Sequence, residues 1–126
     1  MRILVVEDEK ILGDSIVAIL EHSFAAEIDL AREGYEAKAL AESNRYDLAV
    51  LDWWIPPPTG IELLTMWRAE NRIRRVLMLT GSTSDSDRSA AIAAGADDLL
   101  EKPFSLEALR ERVQSLLEAG DPGCQA

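Results

Sequence analysis

The chain has 126 residues and a formal net charge of −10; 48% of its residues are hydrophobic and 29% are charged. These values fit one soluble globular domain, and they exclude a membrane protein, because no apolar stretch approaches the roughly 20 residues that a transmembrane helix needs. The acidic charge disfavours nucleic-acid binding by this domain alone, and the lone cysteine, Cys124, excludes a disulfide framework. We therefore expect a cytoplasmic protein.

Short apolar runs alternate with amphipathic segments along the whole chain. The runs end in polar or turn-forming residues, which is typical of buried parallel strands, and the segments between them have hydrophobic residues at helical spacing. The predicted strands cover residues 2–6, 26–31, 47–52, 75–80 and 98–101. The predicted helices cover residues 10–22, a segment from Gly34, a segment after Thr59, residues 87–94 and a segment after Ser105.

Local signals mark several of these boundaries. Thr59 and Glu62 resemble a capping box, and Gly95 is a typical stop for the fourth helix. Residues 82–86 form a polar loop before that helix. Residues 1–119 are the predicted domain, and residues 120–126 read as a tail or the start of a linker.

Strict alternation of strands and helices predicts an α/β fold with a parallel sheet covered by helices on both faces. The carboxyl ends of parallel strands meet at one edge, where such folds bind ligands. The predicted residues at that edge are Glu7, Asp8, Asp52, Thr80 and Lys102.

The chemistry of this set points to phosphoryl transfer. Three crowded carboxylates repel unless a cation neutralises them, and oxygen ligands without His or Cys favour Mg²⁺ over Mn²⁺ or Ca²⁺. Lys102 and Thr80 add a cation and a hydroxyl donor suited to phosphoryl oxygens. An aspartate among such groups, here Asp52, can act as the nucleophile and form an aspartyl phosphate.

Five short segments in this order resemble the receiver domain of two-component response regulators, and most closely the OmpR/PhoB-type subfamily. The segments are residues 4–9, the strand ending in Asp52, Pro56 with Gly60, residues 79–81 and residues 95–104. The resemblance implies the flavodoxin/CheY-like (βα)5 fold with strand order 2-1-3-4-5. It also implies that a sensor histidine kinase donates the phosphoryl group from a phosphohistidine, or that a small phosphodonor does.

The resemblance assigns a role to each residue of the predicted edge. It makes Asp52 the phosphoacceptor, Asp8 a direct Mg²⁺ ligand, Glu7 a ligand acting mainly through water, and the backbone carbonyl of Trp54 a further ligand. Thr80 would be the switch hydroxyl. Lys102 would contact the phosphoryl group.

The resemblance also implies an output surface. In OmpR/PhoB-type relatives this is the face of the fourth helix, fifth strand and fifth helix, called α4-β5-α5, through which two copies dimerise. Arg88, Asp98 and Arg112 stand at positions that match its cross-subunit ion pairs, although one acidic partner is replaced by Ala108. A winged-helix domain beyond this chain would bind DNA in the full-length protein.

Three features depart from the family pattern. Leu99 replaces the usual Tyr or Phe that accompanies the switch hydroxyl, which puts output through that pair in question. Pro56, Pro57 and Pro58 stiffen the loop after Asp52. Strand alternation places one ring of the Trp53–Trp54 pair in the core and the other at the site edge, where we expect Trp54 to shield the acyl phosphate.

The sequence gives partial support to one other function and argues against a second. Leu99 and the proline-rich loop allow a pseudo-receiver or interaction module whose output is independent of phosphorylation. A phosphatase with an aspartate nucleophile would need a second aspartate two residues after Asp52, and Trp54 occupies that position. Asp97 reads as a solvated acid, or as part of the output face.

Overall fold

The computed structural model describes residues 1–81 and 84–119. The predicted tail at residues 120–126, with Cys124, and Ser82 and Thr83 of the predicted loop lie outside these ranges. The strands are β1 (Arg2–Val6), β2 (Glu27–Ala31), β3 (Tyr46–Asp52), β4 (Ile73–Thr80) and β5 (Asp98–Glu101). The helices are α1 (Lys10–Ser23), α2 (Gly34–Ser43), α3 (Gly60–Glu70), α4 (Asp85–Ala94) and α5 (Leu106–Glu118).

The five strands form one parallel sheet in the order β2-β1-β3-β4-β5, which confirms the predicted topology. Successive side chains of a strand point to opposite faces, so the sheet divides the core in two. Leu4 and Val6 belong to one hydrophobic cluster with Leu63 and Trp67 of α3, whereas other residues of β1 pack with those of α1 and α5. Within the described ranges, none of the helices has the length and apolar character that crossing a bilayer requires.

Two boundaries differ from the prediction by two residues, and the others differ by no more than one. Strand β4 begins at Ile73, which pairs with Tyr46, two residues before the predicted start at Arg75, although Arg74 and Arg75 interrupt the apolar run. The Arg75 side chain is nevertheless buried, and its guanidinium lies 3.7 Å from the carboxylate of Asp97. Helix α4 begins at Asp85 because Ser84 caps it.

The predicted caps are confirmed. The hydroxyl of Thr59 accepts from the N–H of Glu62, and the Glu62 carboxylate accepts from the N–H of Thr59 at 3.1 Å. Gly95 ends α4 with a φ of 113°.

The residue after α5, Ala119, contacts the opposite end of the sheet from Asp52, where β4 begins. Arg74 and Arg75 donate to its carbonyl, at 3.1 and 3.4 Å.

Candidate functional site

Four strands deliver the predicted residues to one edge of the sheet. Glu7 and Asp8 follow β1, Asp52 ends β3, and Thr80 ends β4. The carbonyl of Thr80 accepts a 2.7 Å hydrogen bond from the N–H of Lys102, which fixes the residue after β5 at the same edge. The structure therefore brings together every residue that the sequence predicted there.

Lys102 connects two buried carboxylates. Its Nζ lies 3.0 Å from Oε2 of Glu7 and 3.1 Å from Oδ2 of Asp52. Glu7 is 0% exposed and Asp52 is 6% exposed. Burying a charge is costly unless the charge is paired, so the ammonium is the partner that makes this cluster tolerable.

The environment changes the acidity of two of these groups. Burial raises the pKa of Glu7 to about 7, and the hydrogen bond from Lys102 only partly opposes that rise. Burial acts to lower the pKa of Lys102, but its hydrogen bonds to Glu7 and Asp52 outweigh burial and raise that pKa. At neutral pH, Lys102 is therefore protonated, whereas the buried carboxyl group of Glu7 is only partly ionised.

Asp8 completes an acidic group that could hold a metal ion. One carboxylate oxygen from each of Glu7, Asp8 and Asp52 lies within 4.8 Å of the others, and Asp8 is exposed to solvent. A set made of oxygen ligands, open to water on one side, fits Mg²⁺, which retains water molecules when proteins bind it. The donor chemistry therefore suits the predicted cofactor.

The loop after Asp52 separates the two tryptophans as predicted. Trp53 is buried in the core, whereas Trp54 is 70% exposed, and their rings stack with centroids 6.3 Å apart. The N–H of Trp54 donates to Oδ1 of Asp52 at 3.3 Å. This hydrogen bond orients the carboxylate whose other oxygen faces Lys102.

The predicted output residues lie on β4, β5, α4 and α5. Thr80 and Leu99 are both buried, and Leu99 packs in the same core cluster as Trp53. Arg112 donates to Oδ2 of Asp98 at 3.0 Å and to the carbonyl of Leu99 at 2.8 Å within the same chain. Arg88 lies exposed on α4.

Asp97 is exposed, as the sequence predicted, but its carboxylate also makes specific contacts. Its carboxylate accepts from the N–H of Val76 at 2.7 Å and pairs with Arg68. Arg68 also donates to the carbonyls of Gly95 and Ile73, at 2.8 and 2.7 Å. It therefore connects α3 to the end of α4 and to the start of β4. The sequence shows Asp97 just before β5, but it does not show these contacts, because Arg68 and Val76 are 29 and 21 residues away.

Comparisons with known proteins agree with this geometry. The response regulator receiver domain family matches residues 3–114. The chain is 40% identical over 117 residues to the transcriptional regulatory protein PmrA of Pectobacterium parmentieri, covering 93% of this chain and 52% of that protein. It is 38% identical over 122 residues to the response regulator MprA of Mycobacterium avium (strain 104), covering 97% of this chain and 53% of that protein.

A solved structure gives the same assignment. The Francisella response regulator 1452 receiver domain superimposes with a TM-score of 0.87 at 33% identity, covering 93% of this chain and 96% of that one. The fold and the acidic edge define a receiver domain of two-component signalling. The chain belongs to the response regulator receiver domain family, and it spans about half the length of the curated relatives it matches.

Proposed function

We propose that the chain is a phosphorylation-controlled switch with Asp52 as its phosphoacceptor. The contact of Lys102 with both Asp52 and Glu7 is the observation that carries this proposal. A carboxylate oxygen of Asp52 attacks the phosphorus of a phosphohistidine or of acetyl phosphate. The new P–O bond forms as the P–N or P–O bond to the leaving group breaks, and imidazole, with a proton, or acetate departs. The chain modifies itself and turns over no external substrate.

Glu7, Asp8, Asp52 and the backbone carbonyl of Trp54 would hold Mg²⁺. When bound, the ion supplies positive charge next to the phosphoryl oxygens. Lys102 stabilises the same developing charge from the side of β5. Together with Lys102, that positive charge would offset the repulsion among the three carboxylates.

A sensor histidine kinase is the proposed donor, and we place the chain in the cytoplasm with it. A cavity of about 310 Å³ beside the site is lined by Leu12, Lys102, Pro103 and Phe104. Ile11, which precedes Leu12 on α1, is largely exposed. A helical partner with apolar residues can bind there and present a phosphohistidine to Asp52.

The proposed output is a change in the α4-β5-α5 face. Phosphorylation can shift this equilibrium only through contacts that differ between the two states, and we expect Thr80 to make one with the phosphoryl group. The changed face would dimerise. A domain absent from this chain would then bind DNA, as the name of the transcriptional regulatory protein PmrA suggests for that relative.

The test is intact-mass measurement after acetyl phosphate treatment, with and without Mg²⁺, on the wild type and on Asp52→Asn. We expect one phosphoryl adduct that requires Mg²⁺ and is absent from the variant. A change in tryptophan fluorescence should accompany it, because Trp53 and Trp54 adjoin Asp52. If no adduct forms, the chain is instead a pseudo-receiver whose output does not depend on phosphorylation.

A further inference from the structure

Helix α2 touches the loop after Asp52 at the first residue of the helix. The N–H of Gly34 donates a 2.8 Å hydrogen bond to the carbonyl of Pro56. A Cβ atom at position 34 would lie 1.9 Å from the carbonyl oxygen of Pro58 and 2.4 Å from its nitrogen. Both are backbone atoms, so rotation of a side chain cannot relieve the overlap. Close approach of two backbone segments is therefore the reason for glycine here.

The same loop is held at its other end and in its middle. The N–H of Gly60 donates to the carbonyl of Trp53 at 2.8 Å, and a Cβ at position 60 would lie 2.3 Å from the carbonyl oxygen of Asp52. The side chain of Ile55 is buried in the core. The loop between Asp52 and α3 is thus clamped against α2 and against the start of α3.

Trp54 lies between these clamps. Its N–H binds Asp52, and its carbonyl is a proposed ligand of the metal. Pro57 and Pro58 have fixed φ angles, so the loop has little freedom to absorb a displacement at Gly34 by rotating elsewhere. A displacement of the loop at its contact with Gly34 would therefore also displace Trp54 relative to the Asp52 carboxylate.

We infer, on the basis of the proposed function, that Gly34 is a positioning residue for phosphorylation. Its contact with Pro56 and Pro58 fixes the Trp54 carbonyl relative to the Asp52 carboxylate, and so sets the affinity of the site for Mg²⁺. Helix α2, which carries none of the predicted site residues, thereby becomes part of the machinery that presents them.

The experiment compares Gly34→Ala with Gly13→Ala. At Gly13, also in a helix, a Cβ would meet no atom closer than 3.5 Å. Supports outside the ligand shell typically contribute 10- to 100-fold to metal affinity, so we expect Gly34→Ala to bind Mg²⁺ about 10-fold more weakly. Gly13→Ala should match the wild type. Affinity is measured by tryptophan fluorescence without any phosphodonor, after circular dichroism has shown that each variant is folded.

A second readout separates positioning from a general loss of structure. The phosphorylation rate of Gly34→Ala should be low at limiting Mg²⁺ and should recover as Mg²⁺ is raised, which a misfolded chain would not do. Folded Gly34→Ala with the Mg²⁺ affinity of the wild type would overturn the inference.

If Gly34→Ala does not fold, the variant with both Pro57→Gly and Pro58→Gly decides. It loosens the loop without inserting an atom into α2, and we expect Mg²⁺ binding several-fold weaker; an unchanged affinity would overturn the inference. A wild type that gains no phosphoryl adduct would instead refute the proposed function itself.

Discussion

The ammonium of Lys102 donates to Asp52 across 3.1 Å, although β4 separates the strands that carry them. The lysine side chain crosses the carboxyl end of β4 to reach the carboxylate, and it also contacts Glu7. The cation therefore stands where charge gathers when a phosphoryl group is transferred to Asp52.

Lys102→Ala should separate metal binding from chemistry. Removing one stabilising donor from a transition state typically costs about 100-fold in rate, so phosphorylation by acetyl phosphate should slow by about that factor. Mg²⁺ should bind at least as tightly as before, because a neighbouring positive charge is gone. Adduct formation is followed by mass spectrometry, with Lys38→Ala, which changes a half-exposed lysine on α2, as the control. An unchanged rate would show that Lys102 has no part in the transfer.

Glu7 makes the Mg²⁺-free protein less stable as the pH rises. Its carboxyl group has a pKa near 4.5 in the unfolded chain and about 7 when folded, chiefly because it is buried. Between these values the folded state binds more protons than the unfolded state, so the stabilisation is complete below pH 4.5 and is lost as the pH rises through 7. We expect the free energy of unfolding to fall by about 1–3 kcal/mol from this group.

Urea denaturation in EDTA at several pH values measures this effect. Glu7→Gln should flatten the dependence between pH 5 and 7.5 or so, because it removes the titrating group. Glu21→Gln, which changes an exposed acid on α1, should leave the wild-type slope in place. A slope that survives in Glu7→Gln would assign the titration to another residue.

Trp54→Asn tests whether the exposed ring protects the phosphorylated state. The ring stacks on Trp53 next to Asp52, and its loss should admit water to the acyl phosphate. We expect dephosphorylation to accelerate about 2- to 5-fold, since excluding water from a reactive group slows its hydrolysis. Phosphate release from the purified phosphoprotein gives the rate, and Ile92→Asn, another exposed apolar position, is the control. Equal lifetimes for Trp54→Asn and the wild type would refute shielding.

Arg112 and Asp98 already pair within one chain, so a dimer that uses them must exchange this pair for one across subunits. An exposed ion pair contributes about 0.2–1 kcal/mol, and Asp98→Asn should therefore weaken the proposed phosphorylated dimer by at most about 5-fold. Charge reversals Asp98→Arg and Arg112→Asp should each weaken it more. Their combination should restore association. Size-exclusion chromatography over a range of concentrations reads the result, and a phosphorylated protein that stays monomeric contradicts dimerisation.

The sequence predicted the edge of the sheet well because its signals were local. Each strand end is marked by a polar residue directly after an apolar run, and strict alternation with helices determined that these ends converge. The helix caps at Thr59 and Ser105 could also be predicted, since a capping residue and its partner lie three residues apart.

Contacts between distant parts of the chain could not be predicted from the sequence. Asp97 pairs with Arg68, which is 29 residues away, so nothing beside it in the sequence shows that its charge is compensated. Arg74 likewise separated Ile73 from the predicted start of β4, and its partner Ala119 is 45 residues away. The sequence predicted Gly34 as the start of a helix. It could not predict the contact of Gly34 with Pro56 and Pro58, because that contact depends on how the start of α2 packs against the loop after β3.

The position of the end of α5 determines how far a domain joined after residue 119 would lie from Asp52. The carbonyl of Ala119 lies against Arg74 and Arg75, where β4 begins, whereas Asp52 lies where β3 ends. A kinase seated over Asp52 and a domain joined after residue 119 would occupy opposite poles of the molecule. A signal that begins at Asp52 would then have to cross the length of the sheet to reach residue 119.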